Sequence, residues 1–340
     1  MGMNRLSLKT PNKQDWQKIV AKYQNPQRSK SIGQLLNTLI PYALVWVLMA
    51  KCLSISFWLV LPLMLIAAGL LVRVFIIFHD CGHRSFFKSQ KANNFWGFIT
   101  GVLTFTPYQD WWHEHAVHHS HAGDLDHRGV GEVWTMTVKE YLSAPLWTRI
   151  KYRFARNPIC LFILGPAILF LIVHRIPLGK FDARRSRSVH LTNLMIFVVA
   201  ITGGFLLGWK TYLLIQLPVV MMAASAGVWL FYVQHQFEGV YWERNEQWDY
   251  FTEALKGSSF FKLPKILQWF TGNIGFHHIH HLSPRIPNYF LEKCYKENPI
   301  FQQVTPVTLF SSLKSLSFRL WDEEHRRLVS FGYLKKLKYS

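Results

Sequence analysis

The chain is poor in cysteine and in acidic residues. Its four cysteines, Cys52, Cys81, Cys160 and Cys294, form no Cys-x-x-Cys pair and no regular spacing. That pattern argues against a disulfide framework or an iron–sulfur cluster. Asp and Glu number 19 against 38 Lys and Arg, for a formal net charge of +19. Such an excess suits anionic lipid head groups or an acidic protein partner. Nucleic acid is the usual rival for a basic chain, but no RNA- or DNA-binding motif is present and long apolar stretches argue against it. The first 30 residues lack the apolar core of a secretory signal. Leu6 breaks the myristoylation pattern that Met1-Gly2 opens. There is no internal repeat and no low-complexity segment.

What is present is apolar and aromatic. Of 340 residues, 50% are hydrophobic and 16% aromatic. A mean hydropathy of +0.09 is too low for a chain lying almost wholly in a bilayer, and fits a helical membrane protein with a large polar part. Five apolar zones stand out: Leu35 to Ala50, Phe57 to Phe78, Ile159 to Val173, Leu191 to Trp209 and Thr211 to Val233. A sixth, Phe95 to Phe105, is too short to span.

Basic residues set the orientation. Seven Lys and Arg in the first 30 residues and five between Arg175 and Arg187 place both segments in the cytoplasm. Lys51 and Lys210 alone mark the two outer turns. If all histidine clusters share one side, Ile159 to Val173 and Phe95 to Phe105 do not cross. The expected fold is an all-α membrane protein: four transmembrane helices, as two hairpins, under a cytoplasmic helical cap holding a histidine-rich di-metal site. The segments are a basic N-terminus (1–34), a first hairpin (35–78), a cap with two histidine clusters (79–190), a second hairpin (191–233) and a cap with the third cluster (234–340). Tyr141 to Arg156 interleaves aromatic and basic residues and predicts an amphipathic helix lying on the bilayer.

The three clusters are His79-Asp-Cys-Gly-His83, His115-Ala-Val-His118-His119 and His277-His-Ile-His280-His281. Spacings of i, i+3 and i+4 put these imidazoles on one helical face, with neighbouring Cβ atoms roughly 5–6 Å apart. Neutral imidazole is the commonest protein metal ligand. Eight or nine histidines exceed what one ion needs, so two ions fit better. Nitrogen donors without thiolates favour iron over copper and zinc. Spacing alone does not choose between His277 and His278. His235 ends the fourth expected spanning helix, at the depth of His79, and is a candidate ninth ligand. Asp80 either orients an imidazole N–H or serves as a cap or salt-bridge partner. His113, His121 and His127 surround the second cluster and are minor candidates; His174, His190 and His325 stand alone and are expected to be structural or exposed.

At these residues the chain resembles the integral-membrane fatty acid desaturases with their three histidine boxes. The resemblance runs over roughly residues 30–300. It is strongest to bacterial acyl-lipid desaturases of the Δ5 kind, through Leu103-Thr-Phe-Thr-Pro, Arg128-Gly-Val-Gly, Trp134-Thr-Met-Thr-Val, Phe231-Tyr-Val-Gln-His235 and Thr271-Gly-Asn-Ile-Gly. It implies a non-haem centre of two iron ions bound by about nine histidines, selects His277 over His278 and supports His235. Some family members carry an Asn four residues before that extra histidine, holding a metal-bound water. Phe231 stands there in this chain, and Asn273 is the candidate substitute. No His-Pro-Gly-Gly haem motif is present, so electrons are expected from a separate carrier such as ferredoxin or flavodoxin.

The implied reaction removes two hydrogens from an unactivated acyl chain of a membrane phospholipid, with O₂ as co-substrate. Side chains alone supply no such oxidant, so a metal is required. Imidazoles survive beside it better than thiolates do. The expected location is the inner (cytoplasmic) membrane, with both termini and the metal site in the cytoplasm. A bent apolar acyl channel lined by Trp, Phe and Thr is expected. The rival readings are a membrane di-iron hydroxylase or ketolase, and a non-enzymatic metal transporter or sensor.

Overall fold

The computed structural model describes residues 13–177 and 182–337. Residues 1–12 of the basic N-terminal segment, and 178–181 between Arg175 and Arg187, lie outside the described residues. After a short helix α1 (Lys13–Ala21) come α2 (Arg28–Leu53) and α3 (Phe57–Gly82). The Ser56 side chain accepts the Trp58 N–H and starts α3, satisfying one of the orphan donors at a helix start. A second pair is α9 (Ala183–Leu207) and α10 (Trp209–His235). A single residue, Gly208, joins them at φ +81, a left-handed conformation that costs glycine least.

Among the described residues, these four helices are long and apolar enough to cross a membrane. Each has 25 to 27 residues, or about 40 Å at 1.5 Å per residue, against a hydrocarbon core of about 30 Å. Their ends therefore project beyond the apolar zones read from sequence. Arg28 to Gln34, His79 to Gly82, Ala183 to His190 and His235 belong to the helices rather than to flanking segments. Hydropathy marks what lies in lipid, whereas the backbone hydrogen-bond ladder continues into polar sequence. The central helix is α3, which packs on α2, α4 and α10 and supplies much of the main core through Met64, Leu71 and Val74.

The remaining elements build the cap. Helix α4 (Gln90–Leu103) has 14 residues, about 21 Å, too short to cross. Helix α5 (Tyr108–His121) follows directly. The expected helix from Tyr141 to Arg156 is broken in two, α6 (Val138–Ser143) and α7 (Leu146–Ala155). Pro145 is the reason: it pushes Ala144 out of the helical region, to ψ 146. The zone from Ile159 to Val173 forms a π-helical turn (Cys160–Leu164) and α8 (Gly165–Leu171). Together with α7 it makes a path bent by 65°.

The third part of the chain holds α11 (Tyr250–Thr252), which runs into a π-helical turn (Glu253–Gly257), then α12 (Lys265–Phe270), α13 (His277–Leu282) and α14 (Asn288–Glu297). The fold is not wholly helical. Two small sheets tie distant segments of the cap: β1 (Met136–Thr137), β4 (Leu320–Asp322) and β5 (Arg327–Val329) in order β1-β4-β5, and β2 (Phe260–Lys262) parallel to β3 (Pro306–Thr308).

Candidate metal centre

Four chain segments bring their histidines to one end of the spanning helices. His79 lies in the last turn of α3, and His83 caps that helix, its N–H bonding the His79 carbonyl at 3.1 Å. His115, His118 and His119 share a face of α5. That helix is docked by Tyr108, whose hydroxyl donates to the Cys81 carbonyl at 2.7 Å. The docking needs Gly97 on α4, because a Cβ there would lie 2.2 Å from the Tyr108 ring. His277, His280 and His281 come from α13, and His235 from the end of α10.

The imidazoles form two groups. His79, His83, His115, His119 and His280 each offer a nitrogen within 4.8 Å of the others, as do His118, His235 and His281. His277 Nε2, at 3.0 Å from His235 Nε2, joins the second group. His119 Nε2 faces both His115 Nε2 at 3.1 Å and His280 Nε2 at 3.0 Å. His235 Nε2 likewise faces His118 at 3.2 Å as well as His277. One ring nitrogen carries one proton or one lone pair, so three nitrogens converging on each other cannot all be satisfied by hydrogen bonds. His83 Nε2 and both nitrogens of His281 are buried with no hydrogen-bond partner among the described residues. A cation between the rings satisfies such a set. The donors therefore fit a pair of metal ions, five imidazoles around one and four around the other.

Electrostatics point the same way. Burial, and then the neighbouring imidazoles, hold His83, His115, His119, His277, His280 and His281 well below the usual histidine range. Neutral imidazole is the ligand form. Carboxylates stand behind the rings. Asp80 Oδ1 lies 3.3 Å from His79 Nδ1, while its Oδ2 accepts the Asn288 backbone N–H at 2.7 Å and the Asn288 amide at 2.8 Å. Glu253 Oε2 is 3.6 Å from His281 Nδ1, and Glu132 Oε1 is 3.8 Å from His118 Nδ1. Burial, with Glu132 nearby, raises the Glu253 carboxyl well above the usual carboxylate range.

This arrangement can be set beside known proteins. Residues 56–306 match the fatty acid desaturase family. A fatty acid desaturase of Bacillus subtilis is 49% identical over 325 residues, covering 95% of this chain and 92% of the relative. The chain belongs to the fatty acid desaturase family. More distant similarity extends to an sn-1 oleoyl-lipid 12-desaturase of Synechocystis, 27% identical over 82% of this chain and 81% of that one. An sn-1 acyl-lipid omega-3 desaturase (ferredoxin) of Nostoc is 26% identical over 81% of this chain and 76% of its own length. The chain is thus a membrane desaturase, an oxidoreductase, with a histidine cluster suited to a metal cofactor.

Other residues singled out from sequence fall elsewhere. His278 turns away from the cluster, its Nε2 at 3.0 Å from the Phe301 carbonyl. Asn273 is not beside the rings: its Oδ1 accepts from Gln268 at 2.7 Å and its Nδ2 donates to the Asn288 carbonyl at 3.1 Å. Through Asn288 it connects to Asp80 behind His79. The left-handed backbone at Asn273, φ +60, ends the α12 turn and directs the side chain toward α14 instead. Phe231 packs on His118 and His235, with ring centroids 5.2 and 5.1 Å away. A cavity of about 10 Å³ touches these two histidines. His113, His121 and His127 belong to neither group. The reading from sequence missed Glu253 and Glu132. Glu253, an acid alone in the apolar run Tyr250-Phe-Thr-Glu-Ala-Leu, was the readable signal; Glu132 had none.

Proposed function

We propose that the chain is an O₂-dependent acyl-lipid desaturase of the cytoplasmic membrane, with two non-haem iron ions held by His79, His83, His115, His119 and His280, and by His118, His235, His277 and His281. The observation that carries this reading is the convergence of nine imidazoles, in two buried groups, at one end of four spanning helices. The reaction balances as R–CH₂–CH₂–R′ + O₂ + 2e⁻ + 2H⁺ → R–CH=CH–R′ + 2H₂O. Bound iron supplies the O₂ activation that no side chain provides.

The chain's own residues position and exclude. Asp80, Glu253 and Glu132 face Nδ1 of His79, His281 and His118, the side of each ring away from its metal-facing nitrogen. Asp80, within hydrogen-bond distance of His79, fixes that ring's tautomer and orientation, while Glu253 and Glu132, at 3.6 and 3.8 Å, supply negative charge behind the other two rings. Phe231 and Trp242 line the small cavity at His118 and His235 and keep water from the second group. Helix α7 leaves Leu146, Trp147, Ile150 and Phe154 exposed on one side, which suits a helix resting on the bilayer beside the site. The names of the Synechocystis and Nostoc relatives support a lipid-bound acyl substrate, and that of the Nostoc protein supports a soluble ferredoxin-type donor. Lys and Arg concentrate on the histidine side, which supports a cytoplasmic site with both termini on that side.

A hydroxylase would use the same donors, so product mass separates the readings: loss of two hydrogens against gain of one oxygen. Expression in a host lacking unsaturated fatty acids, followed by lipid mass spectrometry that localises double bonds, should reveal a new olefin. Iron-loaded protein, supplied with reduced donor, that leaves the lipids saturated or oxygenates them would refute the proposal.

A further inference from the structure

Arg73 is a charge the histidine site does not use. It is buried within α3, and its partners are neutral. Nε donates to Thr38 Oγ1 at 3.0 Å, Nη1 donates to the Trp269 carbonyl, and the guanidinium lies 4.1 Å over the Trp269 ring. A cation inside a spanning helix is costly and usually functional. Arg73 borders a cavity of about 500 Å³ between the start of α2, helix α12 and helix α14. Lys30 and Lys265 also line it. The acid facing it, Glu292, is engaged by Lys265 at 2.5 Å and Lys296 at 2.8 Å. Gln34, 4% exposed, lines the same cavity. Its Nε2 donates to Asn288 Oδ1 at 3.1 Å, but its Oε1 is buried without a donor among the described residues.

The cavity thus offers positive charge and an unfilled acceptor together. We propose that it seats the phosphodiester head group of a glycerophospholipid, the phosphate on Arg73 and Lys30, and a head-group hydroxyl or ammonium donating to Gln34 Oε1. The inference rests on the lipid-substrate reading: this is where the substrate lipid is held while its chain reaches the histidines. Two features favour a lipid over a free anion. Arg73 lies in the spanning helix α3, six residues or about 9 Å before His79, where a long basic side chain snorkels to the interface and the lipid phosphate there. Asn288, which borders the cavity, also grips Asp80 behind His79, so a head group bound there lies close to the metal centre.

Native mass spectrometry of the detergent-purified full chain tests this without any turnover. Dioleoyl-phosphatidylglycerol should bind saturably at one per chain, and dioleoylglycerol, with the same tails and no phosphate, about tenfold more weakly, as loss of a charge-assisted contact predicts. Arg73→Gln should abolish the preference. Because Arg73 also tethers α12, Lys30→Gln at the exposed helix start is the deciding variant. It should weaken phosphatidylglycerol binding by about tenfold and leave dioleoylglycerol binding and helical content unchanged. Equal binding of the two lipids, or an unaltered Lys30→Gln variant, overturns the proposal. Displacement of the lipid by an equal concentration of inorganic phosphate reassigns the cavity to a free anion and overturns it too. Lipid selectivity without desaturation would sink only the functional proposal, and desaturation without selectivity only this one.

Discussion

His118 connects α5 to two other parts of the chain, its Nε2 at 3.2 Å from His235 of α10 and its ring centroid 5.2 Å from His281 of α13. His118→Ala removes a donor from the four-imidazole group. It should abolish the new olefin and lower bound iron, with helical circular dichroism preserved. His278 is the control. It is equally buried, but its Nε2 serves the Phe301 carbonyl. His278→Ala should cost about 1–3 kcal/mol of stability through an unsatisfied carbonyl, while iron per folded chain stays as in the unmutated protein. Asp80→Asn tests the layer behind the rings. It replaces the carboxylate facing His79 and sets an amide against two donors from Asn288. Iron affinity should fall by about 10–100-fold, read by chelator competition. Most ligand candidates were legible because helical spacing displays them within five-residue windows; the choice of His277 over His278 needed the family resemblance, which also supported His235. Of the carboxylates behind the rings, Asp80 was legible inside the first cluster; Glu253 and Glu132 were not, since His281 meets Glu253 and His118 meets Glu132 only through tertiary folding.

At the scale of elements, one hydroxyl and one missing methyl group dock α5 on α3 and α4, while Arg185 holds it to α9 through Asp110. Tyr108→Phe removes the bond to the Cys81 carbonyl at the end of α3. It should destabilise the protein by about 1–2 kcal/mol, with thermal iron release at lower temperature as the readout. Hydropathy revealed α2, α3, α9 and α10 but not their ends, because polar turns such as Arg28 to Gln34 continue the same ladder. Periodicity suggested one amphipathic helix from Tyr141, but Pro145 divides it, and the interfacial face is left to α7 alone. That face is testable. Nitroxides at positions 146, 150 and 154 should be relaxed preferentially by O₂, which concentrates in lipid, and one at 151 by an aqueous nickel chelate. Uniform access to nickel would remove α7 from the bilayer surface.

At the scale of the whole molecule, the two hairpins and the charge distribution make one connected claim. Helices α3 and α10 both run from a short turn toward a histidine, so His79 and His235 share an end only if an even number of crossings separates them. The bent path through α7 and α8 therefore has to return to the side it left, as its 65° angle allows. The basic residues then decide which side that is. Ser54 and Gly208 sit in the turns opposite the site, and Ser120 is exposed on α5 beside it. Cysteines placed at 54 and 208 should react with a membrane-impermeant maleimide in intact cells, whereas one at 120 should react only after the membrane is opened. Reaction at 120 in intact cells would invert the protein and separate its metal centre from any cytoplasmic electron donor. Protection of position 208 while position 54 reacts would mean that α7 and α8 cross as a fifth span, and would break the parity that unites the four histidine-bearing segments.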